Sequence, residues 1–327
     1  MEPEGRRPTI DSERIEDLEG PWLRLFQEAG APPFAHPAWV RAWLDTLGGP
    51  ATAVFLAVRR GDDLIGVAPL ALGPTAATPV GDPDVFDYSP VLASPGDETA
   101  VRLALLEWLR EDLTAKYVEW GVPGELGPGI GEAARDLGWS LNVEPLSVAP
   151  RAELPGDFET YLSGLSKKDR HELRRKTRKF EDAGEITTAS TRSGPEFQSA
   201  LEALTEMMAL SHDEKGEFLL RYGDFFRTAA NALAEHGLAL ITTVFVDATP
   251  AARVLSFECG GVSYLYNSGY DPRFANVGAG LISKAYVLRD AIERGLHTFD
   301  FLRGDEDYKR HLGGLAKPVI TATFRQH

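Results

Sequence analysis

The sequence predicts an α+β protein made of two tandem domains, each a mixed, mostly antiparallel sheet flanked by helices. Three observations predict it. The chain has 327 residues, more than one hydrophobic core usually organises, so two packed units of roughly 150 residues each are expected. Its second half runs as strand, two helices, three successive strands, a glycine-bearing loop, a helix and a strand. Its first half holds an apolar hairpin, an amphipathic helix and a further strand. The division falls near Pro150, giving domains at 1–150 and 151–327.

In the first domain a polar arm precedes an amphipathic helix around Trp22 to Glu28. Pro37 to Leu47 reads as a helix, because Trp39, Val40, Trp43, Leu44 and Leu47 recur at three- and four-residue spacings. Ala53 to Val58 and Leu64 to Leu70 are strand-length apolar runs around a charged turn with Gly61, hence a hairpin. The Pro/Gly-rich passage from Gly73 to Asp87-Tyr88-Ser89-Pro90 reads as loop outside the core. Thr99 to Leu113 carries Val101, Leu105, Trp108 and Leu109 on one helical stripe, and Tyr117 to Trp120 is the next strand.

In the second domain Glu185 to Ala189 is a short strand, and Glu196 to Leu210 and Tyr222 to Glu235 are helices. The meander follows as Leu238 to Val246, Ala252 to Cys259 and Val262 to Tyr270, turning first at Asp247-Ala248-Thr249-Pro250 and then at Gly260-Gly261. A two-residue Gly-Gly loop pairs Cys259 with Val262. In that register Phe257 faces Tyr264 and Leu255 faces Tyr266, while Glu258 faces Ser263 and Val254 faces Asn267. Tyr264, Tyr266 and Tyr270 then alternate on one face. The loop Asp271 to Gly280 feeds a helix from Leu281 to Arg294 that Gly295 ends in the left-handed conformation. His297 to Leu302 is a strand, Arg303 to Asp307 an acidic turn, and Val319 to Phe324 the closing strand.

Composition narrows the function classes. No stretch approaches the roughly 18 apolar residues of a membrane span, and Met1 to Glu19 lacks the apolar core of a signal peptide, so a cytoplasmic protein without a membrane span is expected. Cys259 is the single cysteine, which forbids an internal disulfide and a thiolate cluster, and no His spacing suits a metal; no metal is expected. The net charge of −15 argues against nucleic-acid binding by the surface as a whole. Ser166 to Phe180 departs from that acidity, with eight Lys and Arg against Asp169 and Glu172.

Ser166-x-x-Asp169 is a capping-box variant, so this basic segment is read as a helix. On it Lys167, Arg170, Arg174 and Arg178 share one face, with Lys168, Arg175 and Lys179 beside them. Two readings fit: a solvated helix paired with the acidic remainder, or a site for a phosphate-bearing substrate formed by Lys167, Arg170, Arg174 and Arg175.

Asn276-Val277-Gly278-Ala279-Gly280 stands between a strand and a helix, where unpaired backbone N–H groups and the helix dipole favour an anion such as a pyrophosphate. No Asp or Glu occurs from Asn276 to Val287, and Ser283 and Lys284 stand there instead. A plain loop with glycines for packing is the alternative. Proton-transfer chemistry needs side chains that can give or take a proton. Glu258, Asp300, Asp305 and Tyr308 are candidate groups. Glu258 also fits an outward strand residue, and Asp300 a structural partner of Arg303 or of the backbone. Cys259 reads as a buried strand residue.

The order of elements in residues 160 to 313 resembles the GNAT N-acetyltransferase superfamily, in its CelD-like (BioF-like) branch. The residues that carry the resemblance are Leu165-Ser166-Lys167-Lys168, Ser268-Gly269-Tyr270-Asp271-Pro272, Gly278 to Gly280, and Asp300-Phe301-Leu302-Arg303-Gly304 with Tyr308-Lys309. The first hairpin and Asp87-Tyr88-Ser89-Pro90 look like the degenerate first half of such tandem proteins. The resemblance implies acetyl-CoA or another acyl-CoA as co-substrate, bound by Asn276, Val277, Gly278, Ala279, Gly280 and Leu281, with Tyr308 and Lys309 at the reacting centre. Ala275 stands where the GNAT loop often begins with Gln or Arg. It implies an acyltransferase acting on an amine or hydroxyl of a sugar-containing or cell-envelope precursor, a small-molecule or glycan-precursor acceptor. The same motifs are similar to Fem-type aminoacyltransferases, which implies charged tRNA as the alternative donor. A GNAT-fold binding module without activity is the third reading.

Overall fold

A computed structural model describes residues 7–48, 53–111, 116–211 and 213–327. The chain divides into two compact units, Met1–Ser147 with Pro318–His327, and Val148–Lys317. The sequence reading runs the second half to residue 327. In the structure the end of the chain instead joins the first unit, because β-pairing there recruits it.

The first unit contains β1 (Thr9–Glu13), α1 (Ile15–Ala29), α2 (Pro37–Thr46), β2 (Ala53–Arg60), β3 (Asp63–Leu72), β4 (Ala77–Pro79), β5 (Leu92–Ala93), α3 (Glu98–Glu111), β6 (Lys116–Gly121), α4 (Ile130–Asp136) and the start of β7 (Trp139–Glu153). The predicted hairpin is β2–β3. The predicted end of the third helix at Leu113 and the first six residues of the arm lie outside the described residues. The sheet runs β1-β2-β3-β4-β6 and continues with β13, whose Ile320 to Arg325 pair with Gly121 to Lys116 of β6. Arg102 and Glu119 form a fully buried ion pair at 2.6 Å, and Tyr117 donates to the same carboxylate at 2.9 Å.

One expectation for this unit is corrected. The passage before Pro90 carries the short strand β4 and is otherwise irregular, yet it fills the core: Phe86 and Tyr88 are wholly buried, and Phe86 meets Trp39 and Trp43 edge-on at 6.0 and 5.6 Å. Pro and Gly mark where regular pairing stops, and aromatic side chains carried between them can still be buried.

The second unit contains the end of β7, α5 (Phe158–Gly164), α6 (Lys167–Glu181), β8 (Ile186–Thr191), α7 (Gly194–Ser211), α8 (Asp213–Glu235), β9 (Ala239–Val246), β10 (Thr249–Cys259), β11 (Val262–Tyr270), α9 (Ala279–Glu293), β12 (Thr298–Asp300), α10 (Asp307–His311) and the start of β13 (Leu315–Gln326). From β7 its strands run β12, β11, β10, β9, β8. Only β11–β12 is parallel in this set, and α9 supplies the crossover between those two strands. Ile282, Val287, Leu288, Ala291 and Ile292 of α9 are buried with Val254, Leu265 and Phe299 of the sheet. Each fully buried side chain of this size stabilises by roughly 1.5–3 kcal/mol.

The turns follow local chemistry. Gly260 and Gly261 have φ of 56° and 75°, and Cys259 pairs with Val262, Glu258 with Ser263 and Phe257 with Tyr264 as expected. Asp247 and Ala248 form the other tight turn, at φ 48° and 62°. Beyond Ser256 the expected register fails. Ser256 pairs with Leu265 but Leu255 with Asn267, so Tyr266 is an extra, bulged residue.

A bulge reverses which face the later side chains occupy. Tyr266 stacks on Phe226 of α8 at 5.9 Å, whereas Tyr270 packs into the core beneath α9. The three tyrosines therefore do not share one face.

Candidate functional site

The predicted glycine loop is a 3-10 turn, Pro272–Val277, followed by α9. Asp271 starts the turn by accepting from the Arg273 backbone N–H at 2.9 Å. Gly278 ends the turn and caps α9 at φ 83°, in the left-handed region. That conformation favours glycine, and a Cβ placed there would meet nothing within 4 Å. Leu281 and Ile282 donate backward to the Gly278 carbonyl at 3.1 and 3.0 Å. Helix geometry leaves Ala279 and Gly280 N–H without intrahelical acceptors, and α9 has no acidic residue in its first turn. Asn276 is exposed, Val277, Gly278, Gly280 and Leu281 are half-buried, and Ala279 is wholly buried. Gly280 has a second reason to be glycine: its Cβ would come within 3.1 Å of the Tyr270 ring.

The basic helix α6 forms as its cap predicts, with the Ser166 hydroxyl accepting from Asp169 N–H at 3.1 Å. It meets the glycine turn through Lys179, whose Nζ donates to the Asn276 carbonyl at 2.6 Å. The proposed phosphate ligands have local partners. Arg174 pairs with Glu159 and Arg175 with Glu172, each at 2.8 Å, and Arg170 donates to the Ser163 carbonyl at 3.0 Å. Lys167 is exposed. Arg175 in turn holds the Glu172 carboxyl down at about 2. The inner face of this helix, with α5 and the second half of α9, walls a cleft of about 810 Å³ lined by Phe158, Leu162, Leu173, Arg174, Arg178 and Arg289 among others.

Lys284 and Tyr308 draw the glycine turn and α10 together. Lys284, one turn into α9, donates to the Gly280 carbonyl at 2.5 Å, and its Nζ lies 4.9 Å from the centre of the Tyr308 ring. The ring also meets Phe301 edge-on, with centroids 6.4 Å apart. Among the described residues the Tyr308 hydroxyl has no hydrogen-bond partner, while burial, then the charge of Glu306, raises its pKa well above the usual range. It holds its proton at every physiological pH.

Lys309 is buried and its ammonium is fully used: it donates to the carbonyls of Leu302 and Arg303 at 3.0 and 2.6 Å and pairs with Glu306 at 3.0 Å. These bonds hold a turn in which Leu302 sits at φ 59°. Lys309 is therefore a positioning residue. Asp300, fully buried, is occupied likewise: it pairs with Arg151 at 2.7 Å and accepts from Leu302 N–H at 2.8 Å.

The remaining candidates lie apart. Glu258 bridges Arg192 and Arg294 at 2.6 and 2.7 Å, beside the Gly260-Gly261 turn. The glycine loop leaves β11 at its other end, about 25 Å away at strand rise. Asp305 is exposed. Cys259 is half-buried, and burial, then Glu258, pushes its thiol up to about 12, which leaves little thiolate.

Sequence reasoning did not single out Lys215, and noted Lys284 only as occupying a turn that usually attracts acids. Lys215 reaches the Ser268 carbonyl from the start of α8. Burial lowers it to about 8. Burial, then the neighbouring charge of Lys215, lowers Lys284 to about 7, with Lys309 acting in the same direction and Glu306 against it. The signal available in the sequence was a lysine near the start of a helix that has no acidic residue in its first turn, where a cation opposes the dipole.

Comparison with known proteins agrees with this layout. Residues 167–310 match the acetyltransferase (GNAT) domain family. No curated protein matches the sequence. The fold is similar to a conserved protein from Bacteroides thetaiotaomicron, at 11% identity and TM-score 0.63, covering 97% of this chain and 99% of that one. It is similar to FemX at 13% identity and TM-score 0.63, covering 95% and 96%. A tandem GNAT protein from the clavulanic acid biosynthesis pathway matches at 16% identity and TM-score 0.50, covering 98% of each chain. The expected α+β, tandem fold is borne out.

Proposed function

We propose, for a chain whose residues 167–310 form a GNAT-type domain, that the second unit transfers an acyl group from an acyl-CoA to an amine. The observation that carries the proposal is the left-handed Gly278 cap. It opens an acid-free helix start, with clear space over its Cα, one turn from a lysine that touches Tyr308.

An acyl thioester supplies an activated carbonyl and a sulfur leaving group. Asn276 to Leu281 would hold the donor's pyrophosphate through backbone N–H groups and the helix dipole. The amine nitrogen, reacting as the neutral base, forms the new bond to the acyl carbon as the carbon–sulfur bond breaks. Tyr308 is suited to deliver its phenolic proton to the departing sulfur and to be reprotonated by the proton that the amine nitrogen loses on becoming the amide. Lys309 keeps the Leu302–Gly304 turn in place, and Glu258 and Asp300 are left as structural partners of arginines. An acceptor on a sugar-containing or cell-envelope precursor is supported by family resemblance alone.

CoA at a hundredfold excess over its dissociation constant should stabilise the protein by about 2.7 kcal/mol, read as a rise in Tm. Tyr308→Phe should keep that shift and lower turnover by about a hundredfold. No Tm change with CoA, acetyl-CoA or longer acyl-CoA removes the donor assignment.

A second reading, aminoacyl transfer from charged tRNA, is favoured by the likeness to FemX and by α6. It requires retention of tRNA that falls steeply between 50 and 200 mM salt; retention that is weak and equal at both salts rejects it.

A further inference from the structure

Three segments far apart in sequence bring ammonium groups to one place in the second unit: Lys215 at the start of α8, Lys284 on α9 and Lys309 on α10. Their hydrogen bonding is unequal. An ammonium has three donors. Lys309 spends all of them on the Leu302 and Arg303 carbonyls and Glu306. Among the described residues Lys284 has one acceptor, the Gly280 carbonyl, and Lys215 has one, the Ser268 carbonyl.

Glu306 is the carboxylate within electrostatic reach of both Lys215 and Lys284. It is already engaged by Lys309 and half-exposed. Cations gathered against protein with donors to spare are costly unless an anion joins them. Both residues are partly buried and keep some accessible surface. Lys284 adjoins the ring of Tyr308.

We propose that Lys215 and Lys284, with Lys309 setting the local field, form a pocket for an oxyanion group, carboxylate or phosphate, carried by the acyl acceptor. The word acceptor rests on the acyl-transfer reading; the oxyanion pocket rests on the lysines alone. Lysines suit this role as point charges that accept either oxyanion geometry. With Tyr308 at its side, the pocket would anchor the acceptor's charged end and leave its amine toward the phenol. This makes an anionic amine, such as an amino acid or an amino-sugar phosphate, the preferred class over a neutral one.

The test measures inorganic phosphate and acetate binding by titration calorimetry on the full chain. Wild type is compared with Lys215→Met, Lys284→Met and the charge-retaining Lys284→Arg. The proposal expects each Met variant to bind the preferred anion about tenfold more weakly or worse, and Lys284→Arg to recover much of the loss. Tighter binding of phosphate or of acetate identifies the source of the oxyanion. Circular dichroism selects variants that remain folded, and Lys215→Met, near a helix end, serves if Lys284→Met does not fold.

Equal affinity in wild type and folded Met variants overturns the pocket, as does an affinity that responds to Lys167→Ala with Lys168→Ala on α6 instead. CoA stabilisation of wild type is read separately. Oxyanion binding lost in the Met variants while wild type ignores CoA leaves the pocket standing and removes the acyl-CoA donor.

Discussion

Burial holds Lys284 at about 7 in the folded protein against an ordinary 10.5. Between those values the unfolded chain binds the proton that the folded chain has released. Stability therefore rises with pH across that window, and the cost of burying the cation is fully present only below about 7. The groups facing Lys284 are Lys215 from α8, Glu306, and Tyr308 and Lys309 from α10. Of these Lys215, lowered to about 8, adds to the same slope. Urea unfolding at pH 7 and pH 9.5 should show wild type gaining stability over that interval and Lys284→Met gaining less. Equal slopes would mean that the ammonium is not desolvated. At this scale the sequence was readable in part. Tyr308-Lys309 and the glycines announce themselves as motifs, but convergence of residues 215, 284 and 309 depends on three elements folding together, and no local pattern encodes it.

The start of α9 depends on one backbone conformation. Gly278 occupies the left-handed region with open space around it, so Gly278→Ala meets no clash and isolates the conformational cost, about 1–2 kcal/mol. Urea unfolding should report that loss; a neutral substitution would show that the cap is not held left-handed. At Gly280 a side chain would first meet the Tyr270 ring, so substitution there perturbs packing as well as any bound pyrophosphate. Elements were legible where periodicity and turn chemistry act locally: the α6 cap, the Gly-Gly hairpin and α9 with its Gly295 stop. Regular alternation was assumed through β11, and the extra residue at Tyr266 defeated it, because a bulge leaves no mark in an otherwise apolar, aromatic strand. The strand Thr9–Glu13 was missed for a different reason: its side chains are mostly exposed, and Ile10 is its single apolar residue on the core, too little for a periodic pattern.

At the scale of the chain, the first unit is discontinuous. It takes Pro318–His327 as well as Met1–Ser147, and Ile320, Ala322 and Phe324 of that segment lie in its core. A protein stopped after Lys317 should therefore lose the partner of β6 and three core side chains. Its first unit should unfold or aggregate, seen as rapid proteolysis within residues 1–147, and supplying residues 318–327 as part of the full chain should restore protection. Equal protection of the truncated and full chains would refute the division. The sequence marks Val319 to Phe324 as a strand from its apolar run but says nothing about which sheet receives it, since pairing partners are chosen by register and not by composition.

The position of β13 also sets a timetable for biosynthesis. The ribosome makes β1 through α4 first, then all of Val148–Lys317, and only afterwards the strand that pairs with β6. At 5–20 residues per second the first unit waits roughly ten to thirty seconds with the edge of β6 uncovered. By the end of that interval every residue of the second unit has been made, and it is free to finish before residues 318–327 arrive. The later-made unit thus has the opportunity to fold first, and the nascent chain exposes a strand edge of the kind that holding chaperones shield.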